Sequence, residues 1–118
     1  MAIVLVVDDD PTIRMLCVGM LSEHDCIEAG NGYEALRQFE SQSIDLVITD
    51  LVMPEMNGNE LIHQLRARKQ NLPILAMTGS AADFNVRTQF RNRFLDVPLL
   101  EKPFTLKELT GQISTLLQ

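Results

Sequence analysis

The chain reads IVLVVDDDP at residues 3–11, where an apolar run meets three acidic residues and then a proline. Five consecutive apolar residues without polar alternation are typical of a central strand that is covered on both faces, as in a parallel sheet. Asp10 stands where a helix N-cap is expected and Pro11 where the first helical residue is expected. The stretch therefore predicts one strand followed at once by a helix.

The same alternation of strand and helix is predicted five times along the chain. The predicted strands are Ile3–Val7, Cys26–Ala29, Leu46–Thr49, Ile74–Met77 and Val97–Leu100. Capping pairs begin the second helix (Asn31 with Glu34) and the fifth (Thr105 with Glu108), and the third helix is expected between Gly58 and Pro73. The fourth is expected over roughly Ala82 to Arg93.

The apolar positions of these helices recur with the helical period and predict the faces that meet the sheet. They are Ile13, Leu16, Cys17, Met20 and Leu21; Ala35, Leu36 and Phe39; Leu61, Ile62 and Leu65; Phe84, Val86, Phe90 and Phe94; and Leu106, Leu109, Ile113, Leu116 and Leu117. We therefore predict an α/β fold, a three-layer (βα)5 doubly wound sandwich with a five-stranded parallel sheet, flavodoxin-like in topology.

Length and composition limit the class of protein. With 118 residues, 46% of them hydrophobic, the chain fits a single domain over 1–118. A net charge of −6 argues against direct, sequence-independent binding of nucleic acid. No apolar run approaches the roughly 20 residues that span a bilayer, and no basic leader is present, so a cytoplasmic chain without membrane contact is expected. Cys17 and Cys26 have no metal-ligand spacing, and core packing is expected of them.

Polar side chains follow four of the predicted strands. Asp8 and Asp9 come after the first strand, Asp50 after the third, Thr78 after the fourth and Lys102 after the fifth. Parallel strands of a doubly wound sheet all end at one edge, where such folds bind ligands, so these side chains are expected to share a site. Three crowded carboxylates repel one another, and Mg²⁺, or Mn²⁺ in its place, would offset that charge.

These residue types point to phosphoryl transfer. Asp50 is the predicted nucleophile, because carboxylates form aspartyl phosphates when a metal and in-line positioning activate them. Thr78 and Lys102 would stabilise charge on the transferring group, and Asp8 and Asp9 would be metal ligands. Asp10 is interpreted as a helix cap and not as a ligand.

Four ordered motifs resemble the response-regulator receiver domains of bacterial two-component (phosphorelay) systems. They are Val6–Asp10, Thr49–Gly58, Met77–Gly79 and Glu101–Phe104, and the resemblance covers essentially the whole chain. It implies a switch that is phosphorylated on Asp50 by a histidine kinase or phosphotransfer protein and then acts on a downstream effector protein or domain. It also implies that the backbone carbonyl of Val52 is a further Mg²⁺ ligand, beside Asp8, Asp9 and Asp50.

The resemblance carries further expectations. Thr78 would move toward the phosphoryl group, Lys102 would bridge to it, and the Lys102-Pro103 bond would be cis. Partner binding would change at the surface of helix 4, strand 5 and helix 5; Arg87 and Arg91 on helix 4 are interpreted as a solvated face or, alternatively, as part of that surface.

Two features depart from the family pattern. Many receivers carry Tyr or Phe three residues before the lysine, and this chain has Leu99, so the aromatic part of the relay is missing. Val52 and Ser80 occupy positions that tune hydrolysis in the family, and neither supplies a base or amide for water. We therefore predict a long-lived phosphoryl group.

Three other functions are compatible with parts of this pattern. A receiver-like interaction module that is never phosphorylated would be favoured by an incomplete acidic set, whereas this set is complete. A small aspartate-dependent phosphatase usually needs a second acid two residues beyond the nucleophile, and Val52 stands there, so we expect no enzyme beyond self-catalysed phosphoryl acceptance and slow hydrolysis. A flavin carrier is disfavoured because no phosphate-binding loop follows Val7.

Overall fold

The computed structural model describes residues 1–79 and 84–118, and across these ranges strands alternate with helices. The strands are β1 (Ile3–Val7), β2 (Asp25–Ala29), β3 (Leu46–Asp50), β4 (Ile74–Thr78) and β5 (Leu99–Glu101). The helices are α1 (Pro11–Met20), α2 (Gly32–Ser41), α3 (Gly58–Arg68), α4 (Phe84–Arg93) and α5 (Leu106–Leu116). The predicted elements are therefore all present, and the ends of the strands differ from the prediction by at most two residues.

The strands form one parallel sheet in the order β2-β1-β3-β4-β5. β1 and β3 lie side by side at its centre, although α1, β2 and α2 separate them in sequence. The strand order reverses between β1 and β3, which is the position where open parallel sheets bind ligands. The predicted doubly wound sandwich is confirmed.

Hydrophobic side chains fill both faces of the sheet. On one face, α2, α3 and α4 pack on a first core that contains Leu5, Val47 and Phe90. On the other face, α1 and α5 pack on a second core that contains Val6, Ile48 and Leu109. Because successive side chains of a strand point to opposite faces, the continuous apolar runs of β1 and β3 supply both cores at once.

Side chains cap four of the helices, and the caps of α1, α2 and α5 are those that the sequence predicts. Asp10 accepts a hydrogen bond from the backbone N–H of Thr12 at 2.8 Å, and Pro11 is the first residue of α1. Asn31 and Asn57 cap α2 and α3, and Thr105 with Glu108 forms a full capping box on α5. Satisfying these N–H groups fixes where each helix begins, close to the strand that precedes it.

Three details of the helical faces differ from the prediction. Leu16 and Leu106 were expected to be inward and are about half exposed, because each lies at the margin of its apolar stripe. Phe84 is exposed as well, whereas Phe90 is fully buried and anchors α4. The residues before Phe84 that were predicted to begin this helix lie outside the described ranges.

The buried thiol of Cys17 lies on α1, facing β4. Its Sγ is 3.9 Å from the Sδ of Met77, within the second core, and burial raises the pKa of the thiol to about 11. Both cysteines are free thiols, as expected, although Cys26 is only partly buried. Of the helices described, none combines the length and the apolar character needed to cross a membrane.

Candidate functional site

The register of the central strands brings the predicted acids together. Val7 of β1 is paired with Thr49 of β3, so Asp8 and Asp50, the next residues of each chain segment, lie side by side at the carboxyl edge. Carboxylate oxygens of Asp8, Asp9 and Asp50 lie within 4.8 Å of one another. Asp8 is fully buried, Asp50 is 7% exposed and Asp9 faces solvent. The cluster is therefore buried at Asp8 and Asp50 and open to solvent at Asp9.

Lys102 is the cation that faces these acids. Its Nζ donates to Oδ2 of Asp8 at 2.8 Å and lies 3.2 Å from Oδ2 of Asp50. The Lys102-Pro103 peptide bond is cis, as the family resemblance implied. One ammonium group therefore contacts two buried carboxylates, which leaves the inner part of the site with a net negative charge.

Burial and charge shift the pKa values of this pair. Burial raises the pKa of Asp50 above its ordinary value; the charge of Lys102 opposes this rise and the charge of Asp8 adds to it. Burial alone would lower the pKa of Lys102, but its hydrogen bond to Asp8 and the charges of Asp50 and Asp8 outweigh burial, so the net shift is upward. The folded chain therefore keeps Lys102 protonated and disfavours the charge on Asp50.

Thr78 ends β4 beside this cluster. Its side chain is fully buried, and its hydroxyl has no hydrogen-bond partner within residues 1–79 and 84–118. A buried hydroxyl without a partner costs about 1 to 3 kcal/mol, so such groups usually have a functional reason. An incoming oxygen-rich group at the carboxyl edge would provide the missing acceptor.

The loop from β3 to α3 packs closely against the backbone of Asp50, at Gly58. A Cβ at Gly58 would overlap the carbonyl oxygen of Asp50 and lie 2.7 Å from the Cα of Leu51, so only glycine fits there. Glu55 has a φ of 68°, a left-handed conformation that turns the chain back toward Gly58. The N–H of Val52 points to Oδ1 of Asp50 at 3.5 Å, and the Val52 side chain is 37% exposed.

Arg14 is a site residue that the sequence analysis missed. Its Nη1 donates to the carbonyl oxygen of Asp8 at 2.6 Å, and its Nε pairs with Glu28 of β2 at 3.1 Å. Arg14 thus ties the loop after β1 to the neighbouring strand. The sequence could have indicated this role, because Arg14 lies one helical turn after Asp10, on the side of α1 that faces the carboxyl edge of the sheet.

Arg87 and Arg91, the two arginines of α4 that the sequence analysis singled out, have different surroundings. Arg87 forms an ion pair with Glu101 at 2.7 Å, so it is not simply a solvated residue, whereas Arg91 is exposed. Leu99 is partly buried and packs against the first core. Ser80, the other position expected to influence hydrolysis, lies outside the described part of the chain.

The donor set is suited to a hard divalent cation. Two aspartates supply buried oxygens, and the exposed Asp9 leaves a side on which water can complete the coordination. Mg²⁺ prefers carboxylate and carbonyl oxygens and keeps several waters, so these residues fit it well. A zinc site would need His or Cys ligands, and among the residues described the cluster is made of aspartates.

Comparisons with known proteins agree with this geometry. The family model described as "Response regulator receiver domain" matches residues 4–114. The chain is 38% identical over 117 residues to Sensor protein EvgS of Escherichia coli (strain K12), which covers 98% of this chain and 10% of that protein. It is 32% identical over 122 residues to the Bacillus subtilis alkaline phosphatase synthesis transcriptional regulatory protein PhoP, covering 98% of this chain and 48% of that protein.

A solved structure shows the same likeness. The response regulator protein TrrA of Thermotoga maritima, in complex with Mg(2+)-BeF, is 35% identical and superposes with a TM-score of 0.85, covering 98% of this chain and 99% of that chain. The chain spans about a tenth of EvgS and about half of PhoP, so it corresponds to one part of each of those longer proteins.

Proposed function

Since the chain belongs to the response regulator receiver domain family and is a phosphoacceptor signalling switch, we propose that Asp50 is the residue that accepts the phosphoryl group. The observation that carries this proposal is the contact of one lysine with two buried carboxylates at the point where the strand order reverses. Of the two, Asp50 is the less buried, and its Oδ1 is not engaged by Lys102. It is therefore the carboxylate that a phosphorus atom can approach.

The other acids would hold the metal. Asp8, Asp9 and Asp50, with the backbone carbonyl of Val52, are the proposed ligands of Mg²⁺ or Mn²⁺. When bound, the ion offsets the negative charge that gathers as phosphate reaches the acids. The site already lacks one positive charge for its two buried carboxylates, which supports this assignment.

The chain's own residues would then do the following. An oxygen of Asp50 forms a bond to phosphorus as the bond from phosphorus to the donor's imidazole nitrogen breaks, and the freed imidazole takes its proton from solvent. Lys102, already 3.2 Å from Asp50, can donate to a phosphoryl oxygen. The buried Thr78 hydroxyl can donate to another and so gain the partner that it lacks among the described residues.

Membership of the family suggests both the phosphoryl donor and the downstream partner. We propose that a histidine kinase or phosphotransfer protein supplies the phosphoryl group and that an effector protein or domain responds through α4, β5 and α5. The relatives include kinases and transcriptional regulators, which supports both partner types. We also propose a cytoplasmic location, where such a kinase or phosphotransfer protein would meet the chain.

We propose that the chain does not turn over external substrates. Val52 stands two residues after Asp50, where a second acid would be needed to protonate a leaving group, and its side chain is apolar and partly exposed. We expect self-catalysed phosphoryl acceptance followed by slow hydrolysis.

Mass spectrometry after incubation with acetyl phosphate and Mg²⁺ tests the site assignment. The native chain should gain one phosphoryl mass that hydroxylamine removes, and Asp50→Asn should gain none. Asp10→Asn is the matched control, because Asp10 caps α1 and should not affect labelling. A label that persists in Asp50→Asn would overturn the site, and no label on the native chain would favour the unphosphorylated interaction module instead.

A further inference from the structure

We infer that Arg87 is a positioning residue that links the phosphoryl-accepting site to α4. Its Nη1 donates to Oε1 of Glu101 at 2.7 Å, and its Nη2 donates to the carbonyl oxygen of Gly79 at 3.3 Å. Gly79 directly follows Thr78, and Glu101 directly precedes Lys102. One guanidinium group on α4 is therefore bonded to the neighbour of each residue that is proposed to contact the phosphoryl group.

The two segments that Arg87 contacts are also joined to each other. The N–H of Lys102 donates to the carbonyl oxygen of Thr78 at 2.7 Å, and Thr78 is paired with Glu101 in the sheet. A Cβ at Gly79 would lie 3.7 Å from Cδ of Lys102, so the lysine stem runs along this glycine. A displacement of either Thr78 or Lys102 would therefore move an acceptor of Arg87.

Thr78 is the residue expected to be displaced when a phosphoryl group binds. Its hydroxyl is buried and lacks a partner among the described residues, so a phosphoryl oxygen within reach would attract it. Thr78 and Gly79 share a peptide bond, so a shift of Thr78 also moves the carbonyl that Arg87 contacts. The direction of coupling is from Asp50 through Thr78 and Gly79 to Arg87.

The chemistry of arginine suits this role. Its planar guanidinium presents several donors in a fixed fork, so it can hold two acceptors on different strands at once. The contact to Glu101 is short and charged, whereas the contact to Gly79 is long and is the one more easily broken. Glu101 is 64% exposed, so solvent screens the ion pair, and the link is weak enough to yield to a ligand at Asp50.

The apolar contacts described between β5 and α4 are of a different kind from the polar link of Arg87. Leu99 of β5 is partly buried and packs against the first core, and its aliphatic side chain has no group that could form a hydrogen bond. Phe90 fixes one side of α4 to that core, and Arg87 attaches the helix to the carboxyl edge of the sheet. Loss of Arg87 should thus leave α4 folded but less responsive to the site.

This inference rests on the proposed function, and a single NMR experiment can separate the two. Backbone amide spectra of the ¹⁵N-labelled chain would be recorded with and without Mg²⁺ and beryllofluoride, a phosphoryl analogue. In Arg87→Met the shift changes of Asp50 and its neighbours should remain, and those of α4 beyond residue 87 should fall by about half. The affinity for beryllofluoride should change less than about threefold.

Two further variants sharpen the result. Arg91→Met is the matched control, because Arg91 is an exposed arginine one turn away on the same helix, and its α4 response should equal that of the native chain. Glu101→Gln removes the carboxylate charge that pairs with Arg87 across β5 and should lower the α4 response in the same direction as Arg87→Met.

Three results of this NMR experiment would contradict either the role of Arg87 or the proposed function. If Arg87→Met loses unfolding stability but keeps the full α4 response, Arg87 is only a structural contact and the inference is wrong. A native chain in which Asp50 responds and α4 does not would also overturn it. If Asp50 itself shows no response, the proposed function fails first, independently of Arg87.

Discussion

Replacing Asp50 with asparagine should make the metal-free protein more stable at neutral pH. The Asp50 carboxylate is 7% exposed and lies among Asp8, Asp9 and Lys102, so it loses most of its hydration and meets two like charges against one opposite charge. Asparagine has nearly the same shape and keeps an oxygen that can accept from Lys102. It removes only the charge.

The size of the effect can be worked from the distances. With an effective dielectric constant of about 20, attraction to Lys102 at 3.2 Å is worth about 5 kcal/mol, and repulsion from Asp8 at no more than 4.8 Å costs at least about 3.5 kcal/mol. Lost hydration of a buried carboxylate costs several kcal/mol more. The charged Asp50 is therefore destabilising by on the order of 1 to 2 kcal/mol.

The pH dependence of stability provides a second measure of the destabilisation by the charged Asp50. Because the pKa of Asp50 is raised by burial, the folded chain holds its proton more tightly than the unfolded chain does. The native protein therefore loses stability as pH rises from the ordinary value of 3.8 through the raised pKa, and Asp50→Asn does not. The advantage of the variant should appear across that interval and stay constant above it.

Urea unfolding followed by circular dichroism, in buffer with EDTA, measures this difference. Asp10→Asn is the control, since it removes an exposed acid while keeping a capping oxygen, and its midpoint should be nearly unchanged. Added Mg²⁺ should narrow the gap by stabilising the native chain more than the variant. An Asp50→Asn chain that is less stable than the native chain without metal would refute the electrostatic reasoning.

Three other changes have defined outcomes. Arg14→Met should weaken Mg²⁺ binding about threefold to tenfold in calorimetry, because the carbonyl of Asp8 loses its donor, and an unchanged affinity would contradict that role. Gly58→Ala should lower the free energy of unfolding by about 2 to 4 kcal/mol, because its Cβ meets the backbone of Asp50 and Leu51; native-like stability in urea would show that the loop can move aside. Thr78→Val should leave stability unchanged or raise it by about 1 kcal/mol while slowing labelling by acetyl phosphate, and a destabilised variant would mean that the hydroxyl has a partner after all.

The fold and most of the acid cluster were predictable from sequence for a simple reason. Strands such as β1 and β3 are unbroken apolar runs, and a residue that follows a parallel strand must lie at the carboxyl edge whatever the details of packing. Asp8, Asp50, Thr78 and Lys102 were located by that rule alone. The parallel register then places Asp8 beside Asp50, and Lys102 contacts both carboxylates.

The contacts of Arg14 and Arg87 were not predictable in the same way. Each side chain reaches from a helix to a strand that is distant in sequence, and whether it does so depends on how the helix is rotated on the sheet. Leu16 and Leu106 show the same limit, because periodicity gives the centre of an apolar stripe better than its margin. The fourth helix had the weakest stripe, and its inward face became clear only from the burial of Phe90.

The sulfur of Cys17 gives the protein a built-in reporter of transient opening. A thiol that is fully buried and has a pKa of about 11 cannot react with an alkylating reagent until α1 lifts from the sheet. The partly buried Cys26 provides an internal reference on the same chain. Pulse alkylation followed by mass spectrometry would therefore measure how often α1 separates from the sheet. Repeating it with Mg²⁺ and beryllofluoride would show whether a ligand at Asp8, Asp9 and Asp50 reduces that local opening, on the face of the sheet opposite α4.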